Sequence, residues 1–338
     1  MPVVTRRRAW MLGALTAVVL APAAVVVTAN ASQAATTVTV AADGSGNYTT
    51  IQAAIAAVTS GSTINIKPGT YRGQVSIPSS KSGLTLYGTS GAAADVVITG
   101  NTPQSAGSAS TTATMLNMAA NTTIRNVTIA NTYGSGTQAL ALYAGGDRQF
   151  YRNVNLKGHQ DTFLSWKDSA GATVRQYFYK SYIEGDVDFI YGNGTVVIDS
   201  SKIVSLSRGS SNNGYITASA TYASNTYGIL ITRSTLTTDS AAAGTVALGR
   251  CWHPGGSTSA SGQVLIRDSS LGSHIRQSGA WQDMSGFSWT TCRFNEYNNS
   301  GSGMTNGTSS RPQLSASTAA SYTSAKYLAG SDGWNPVL

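Results

Sequence analysis

The sequence predicts an all-β protein wound as a parallel β-helix, and three observations predict it. The 338 residues include 36 Gly and 16 Tyr but only 11% charged side chains, a composition suited to many short strands joined by tight turns. Six strings share one pattern, apolar at both ends: Ile124 to Ile129, Tyr151 to Leu156, Phe178 to Ile183, Ile198 to Ile203, Ile231 to Leu236 and Ile266 to Leu271. Their last residues lie 27, 27, 20, 33 and 35 positions apart, a ragged period in the range of stacked repeat units. Helical repeats would need long 3.6-residue patterns between these strings. The intervening stretches are instead Gly-, Ser- and Asn-rich loops and further short strands, which leaves one coil per repeat with variable loops on the rim.

Taken in order, residues 1–35 read as an export signal peptide. Arg6, Arg7 and Arg8 precede an apolar run broken by Pro22, and small residues near Ala31 and Ala34 suit an A-x-A type cleavage. A retained membrane anchor is the competing reading; Pro22 and the small-residue exit argue against it. The expected location is therefore extracellular, with no membrane association after the leader is removed. Next, Ile51, Ala54, Ile55 and Val58 fall at helical spacing behind Thr50 as N-cap, with Gly61 past the end, so a short amphipathic helix is expected to cap the solenoid. Strands follow around the Pro68-Gly69 turn and through LTLYG and VVITG. Beyond Tyr297 a Gly- and Ser-rich stretch leads to a segment bearing Tyr322, Tyr327 and Trp334, read as a tail packed along the solenoid. No linker divides the chain, so residues 36–338 are expected to form one catalytic domain.

Loss of Arg6, Arg7 and Arg8 with the leader, which holds no acidic residue, lowers the formal charge from +8 to +5. The cations are scattered singly and no basic helix or RNP-like aromatic motif occurs. Nucleic acid is thus excluded as the expected partner and an acidic polysaccharide favoured. Cys251 and Cys292 are the only cysteines. An exported chain can bond such a pair, but spacing leaves a disulfide and two free thiols equally open.

Two acidic strings carry the chemistry. In GHQDTFLSW, Asp161 lies five residues after Leu156; in GDVDFIYG, Asp188 lies five residues after Ile183. The acids thus hold the same phase on consecutive coils, and stacked strands bring equivalent residues to about 4.8 Å. Two carboxylates that close cannot both ionise cheaply, so one retains its proton and the other is free to act as base or nucleophile. Rival chemistries lack support. There is no G-x-S-x-G string, and His159, His253 and His274 have no metal-ligand spacing, His159 reading as a rim residue. Neither a metal nor another cofactor is expected.

GNYTTIQAAI, TQALALYAGGDRQFYRNVNLKGHQDTFL, IEGDVDFIYGNGTVVID, YITAS, ALGRCWHP, FNEYNNSGSG and the closing GW succeed one another from about Val38 to the C-terminus. In that order they resemble the blocks of the pectin methylesterase (pectinesterase) family, of the secreted bacterial type. The resemblance implies a right-handed parallel β-helix and hydrolysis of polygalacturonate methyl esters to methanol and free carboxylates, by a monomer without cofactor. It also implies roles. Asp188 would be the nucleophile, Asp161 the general acid and then base, Gln138 and Gln160 the oxyanion donors, and Arg250 the cation that keeps Asp188 ionised. Trp252, Phe189 and Tyr191 beside this centre are expected to stack on sugar rings.

The chain departs from the family pattern at three places: Cys251 stands for the proline of LGRPW, Ser219 for the glutamine of the TAQ block, and Ala247 for a tyrosine before LGR. These changes put substrate subsites in doubt more than the chemistry. The inhibitor-like region that precedes the enzyme in many plant relatives is not expected, because the enzyme blocks begin directly after the leader. Two other functions stay open: a polyuronide chain-cleaving β-helix enzyme, since paired carboxylates also suit a retaining glycosidase, and a non-catalytic pectin-binding β-helix.

Overall fold

The computed structural model describes residues 1–3, 34–167, 174–305 and 307–338, and Ala34–Leu338 form one compact unit. Most of the segment read as an export signal lies outside the described residues. Among the described residues no helix is long and apolar enough to cross a membrane.

The six strings stack as expected. Ile129, Leu156, Ile183, Ile203, Leu236 and Leu271 lie in unbroken parallel register, each paired with the next, and none exposes any surface. Burying such a side chain stabilises by about 1.5–3 kcal/mol, and repeating it on every coil makes a continuous apolar column. Aromatic rings stack along the same interior: Tyr151 on Phe178 at 4.5 Å, and Phe178 edge-on to Phe163 at 4.9 Å.

Each string bends at its third residue. Asn126, Asn153, Lys180, Ser200, Arg233 and Asp268 all have φ between 49° and 59°, the left-handed region that Asn and Asp tolerate best. The bend swings the chain from one strand direction to the next, and in the last four strings the fourth residue, a serine, secures it. Ser181 Oγ accepts the Val154 N–H at 3.2 Å, Ser201 Oγ the Ser181 N–H at 3.0 Å, Ser234 Oγ the Ser201 N–H at 3.1 Å, and Ser269 Oγ the Ser234 N–H at 3.1 Å. This buried serine ladder satisfies backbone donors at corners where strand pairing lapses, each bond contributing about 1 kcal/mol.

The strands lie in two parallel sheets. The larger carries the six strings. The smaller contains Val75–Ile77, Met115–Asn117, Leu142–Ala144, Phe163–Ser165, Val187–Gly192, Gly214–Ser219, Val246–Cys251 and Trp281–Gln282, stacked in chain order. Its outward column is Leu116, Tyr143, Leu164, Tyr191, Ala218, Arg250 and Gln282, one residue per coil.

The capping helix forms over Ile51–Ala57, and Thr50 accepts the Ala53 N–H. Ile51, Ala54 and Ile55 are buried against the first coil; Val58 is buried too, but as the C-cap. At the other end the tail helix Ser324–Ala329 lays Tyr327 and Leu328 on Tyr177, Val197, Leu230 and Leu265, the outer face of the larger sheet. This is the packed tail that the sequence suggests.

Candidate active site

Phe163 pairs with Ile190, so Asp161 and Asp188, two residues earlier on each coil, take equivalent places on neighbouring rungs. Both have left-handed φ, 67° and 49°, and the register slips between Val187 and Ile190. Bulges and left-handed residues re-aim side chains that a regular pleat would point elsewhere. The Asp161 N–H donates to Val187 O at 3.0 Å, tying the two turns directly. Both acids are nearly buried, 3% and 5% exposed.

Arg250 supplies the asymmetry. It stands two rungs beyond Tyr191 in the outward column, with the small Ala218 between, so its side chain has room to reach back across that rung. Its Nε lies 2.9 and 3.2 Å from the two Asp188 oxygens, and its terminal nitrogen donates to Oδ2 as well. The Tyr215 ring backs the guanidinium at 4.3 Å. Asp161 receives different partners: the Tyr191 hydroxyl and the Gln138 amide donate to it.

The two carboxyls therefore titrate apart. Burial, and then the charge of Asp188, push Asp161 up to about 8, against smaller downward pulls from Tyr191, Arg250 and Gln138. Burial leaves Asp188 above its usual value as well, but the Arg250 hydrogen bonds and charge, which Asp161 lacks at such close range, oppose that rise and favour the ionised form. At neutral pH this environment favours a proton on Asp161 and a charge on Asp188. Asp161 in turn raises the Tyr191 phenol far above its usual range, after burial the main cause, so Tyr191 stays a donor.

Asp161 opens onto a cleft of about 540 Å³, lined among others by Gln104, Met118, Gln138, Tyr143, Trp166 and Trp252. Trp252 packs against Trp166 and Tyr191 with ring centres 5.6 Å apart in each case. Gln138 lies in this wall and bridges in parallel to Gln160 on the next coil. The structure thus gathers Asp161, Asp188, Arg250, Gln138, Tyr191 and Trp252 at one place, with Gln160 adjoining. Phe189 is a correction: it is wholly buried in the core, because the slip at Asp188 sends both Phe189 and Ile190 inward, and it has no face to offer a sugar. Ser219 and Ala247 are likewise fully buried, so those departures sit behind the cleft and not in its wall. Trp166 and Tyr143 escaped the sequence reading. Their signal was phase, since Tyr143 and Tyr191 flank Leu164 in register and Trp166 ends the acid string itself.

Cys251 and Cys292 are bonded to each other, which settles the question their spacing left open. The bond anchors the residue between Arg250 and Trp252. Cys251, His253 and Cys292 bring potential ligand atoms within 4.8 Å of one another, but both sulfurs are used by the bond, so no thiolate remains to hold a metal there.

A β-helix with Asp161 at the foot of an aromatic-walled cleft and Asp188 beside it, gripped by Arg250, has the features of a polysaccharide-modifying hydrolase. The comparisons narrow the class. The family described as Pectinesterase matches residues 37–331. A pectinesterase of Ralstonia solanacearum is 36% identical over 315 residues, spanning 79% of this chain and 80% of that protein. Pectinesterase A of Dickeya dadantii is 32% identical and spans 91% and 94% of the two chains. The pectin methylesterase PemA from Erwinia chrysanthemi superposes with a TM-score of 0.77 at 28% identity, covering 90% of this chain and 98% of that one. A pectin methylesterase solved in complex with a hexasaccharide gives 0.76 at 29%, covering 90% and 98%. The chain belongs to the pectinesterase family, and its fold is that family's parallel β-helix.

Proposed function

We propose that this enzyme removes methyl groups from methylesterified polygalacturonan, with Asp188 as nucleophile and Asp161 as general acid and then base. The observation that carries the reading is the unequal setting of two equivalent acids: Arg250 grips Asp188, while Asp161 is pushed up to about 8.

Ionised Asp188 attacks the ester carbonyl carbon, and the carbonyl oxygen takes the negative charge. The side-chain amides of Gln138 and Gln160 donate to that oxygen, each such donor contributing a factor of about 10²–10³. Collapse breaks the C–O bond to the methoxy group, Asp161 gives its proton to the leaving oxygen, and methanol departs. An acyl-enzyme anhydride on Asp188 remains. Asp161, now a carboxylate, takes a proton from water as its oxygen attacks the substrate acyl carbon. The bond to Asp188 breaks, Asp188 leaves as carboxylate, and the polymer keeps a free carboxyl. Apart from that water, these steps use only side chains of the protein. Trp252, Trp166 and Tyr191 form an aromatic wall suited to sugar rings.

We also propose export: residues 1–35 are removed and a monomer of residues 36–338 acts outside the cell on a polyanion-forming substrate, consistent with its basic charge. The test is a methanol assay on highly methylated polygalacturonan, with reducing ends and unsaturated ends read from the same samples. Methanol alone supports the esterase. New chain ends would support the chain-cleaving reading, and binding that survives loss of both acids, without methanol, the non-catalytic one.

A further inference from the structure

Two residues that take no part in these steps stand directly behind the acids. His159 lies two residues before Asp161, and Asp186 two before Asp188. His159 Nδ1 is 3.0 Å from Asp186 Oδ2, and the Asp186 N–H donates to the His159 carbonyl at 3.2 Å. The Asp161-to-Val187 bond and a bond from Thr162 Oγ1 to Glu184 O at 2.9 Å also join the two acid-bearing turns, and the His159–Asp186 contact ties them through two ionisable side chains.

Asp186 is 1% exposed, whereas the His159 ring is about one-third exposed. Among the described residues Asp186 Oδ1 has no hydrogen-bond partner. A buried carboxylate with a single partner is costly unless that partner carries the opposite charge. The surroundings favour that charge. The groups whose charges bear on His159 are Asp186, Glu184 and Asp239, all acidic; Glu184 is capped by the Tyr182 hydroxyl at 2.6 Å and Asp239 by the Ser207 N–H at 2.8 Å.

We propose that the His159–Asp186 ion pair is a positioning element of this site: it fixes the relative height of the two acid-bearing turns, and it does so while the imidazole carries its proton. His159 touches no reacting atom and is not a catalytic residue. The hydrogen bond to Asp186 is the largest cause raising the imidazole above its usual value. The folded state therefore holds the proton more tightly than the unfolded chain. The clamp holds below that raised value and is lost as pH rises through it, where the ring becomes neutral.

The inference rests on the esterase reading for its kinetic readout only. The imidazole titration, followed by NMR, reads the pair whatever the substrate. In the folded enzyme, Asp186→Asn is expected to return the His159 titration toward the ordinary imidazole value, and His159→Gln to remove that titration from the spectrum. Each single variant is expected to lower kcat for methanol release by about ten- to a hundredfold, the scale of small misplacements of reacting groups, with KM within about twofold. The double variant is expected to be no worse than the poorer single one, since both break the same link. Far-UV circular dichroism and thermal melting accompany each variant. An unshifted imidazole in Asp186→Asn, an unchanged kcat in both single variants, or losses of kcat that merely follow the folded fraction overturns the proposal. If wild type itself releases no methanol, the esterase reading falls while the titration still decides whether the pair exists.

Discussion

Arg250 reaches across 62 residues of sequence to straddle Asp188, its Nε within 2.9 and 3.2 Å of the two carboxylate oxygens, while the neighbouring Asp161 receives only the neutral donors Tyr191 and Gln138. That difference in partners makes two acids in equivalent positions chemically unequal, and most of the predictions turn on it.

Arg250→Ala leaves Asp188 buried without its counter-charge, so its carboxyl should take up a proton at higher pH than in wild type. The acid limb of the pH–kcat profile moves upward, and each unit it moves past pH 6 lowers kcat at pH 6 by about tenfold. Arg250→Lys keeps the charge and loses the fork, so it should recover only part of the activity. A profile unchanged in either variant contradicts the assigned role.

The alkaline limb reports the general acid. In the proposed mechanism Asp161 must hold its proton to release methanol, and burial with the charge of Asp188 pushes it up to about 8, so kcat should decline as pH rises through that value. The Tyr191 hydroxyl donates to Asp161 and pulls in the opposite direction. Tyr191→Phe is therefore expected to move the alkaline limb to higher pH. A shift to lower pH is the contrary result.

The same environment weakens the fold. Asp161 binds its proton more tightly folded than unfolded, so its contribution is intact below the unfolded value near 4 and is lost as pH climbs through about 8. Asp161→Asn cannot ionise. It should melt higher than wild type at pH 8–9, by a few degrees for a gain on the order of 1–3 kcal/mol, and the gap should close below pH 4. Buried His274 acts on the other side. Burial alone lowers it to about 4, so the unfolded chain takes up a proton that the folded one refuses, and stability falls as pH drops from 6.5 toward 4. His274→Leu should flatten that decline in a thermal melt series.

The bond between Cys251 and Cys292 closes a separation of 41 residues beside Arg250 and Trp252. Replacing both cysteines by serine should cost about 2–5 kcal/mol of stability. It should also lower kcat below the melting range, because the strand end that presents the guanidinium loses its anchor. Full kcat in a double variant that is merely less stable would limit the bond to a structural role.

Much of this was legible in the residues themselves. The apolar ends of six short strings found the coils because a stacked solenoid forces one interior position per turn into register, and the same phase located Asp161 and Asp188. What failed was anything that depends on a departure from regular pleating. Phe189 looked like a cleft residue because it neighbours Asp188, and only the slip at that residue, which buries 189 and 190 together, shows otherwise. Tyr191 was read for its ring, yet its hydroxyl makes the contact with Asp161. Tyr215 behind Arg250 and Asp186 behind His159 depend on side-chain reach between coils, which no spacing along one coil records.

The account turns on Asp188 as nucleophile, and the most direct test is methanol release from highly methylated polygalacturonan by wild type and by Asp188→Ala, both confirmed folded. Wild type should release methanol without new reducing or unsaturated ends, and the variant should fall by about 10⁴-fold or more, as expected for loss of a nucleophile. A folded Asp188→Ala enzyme that retains turnover within tenfold of wild type would contradict it.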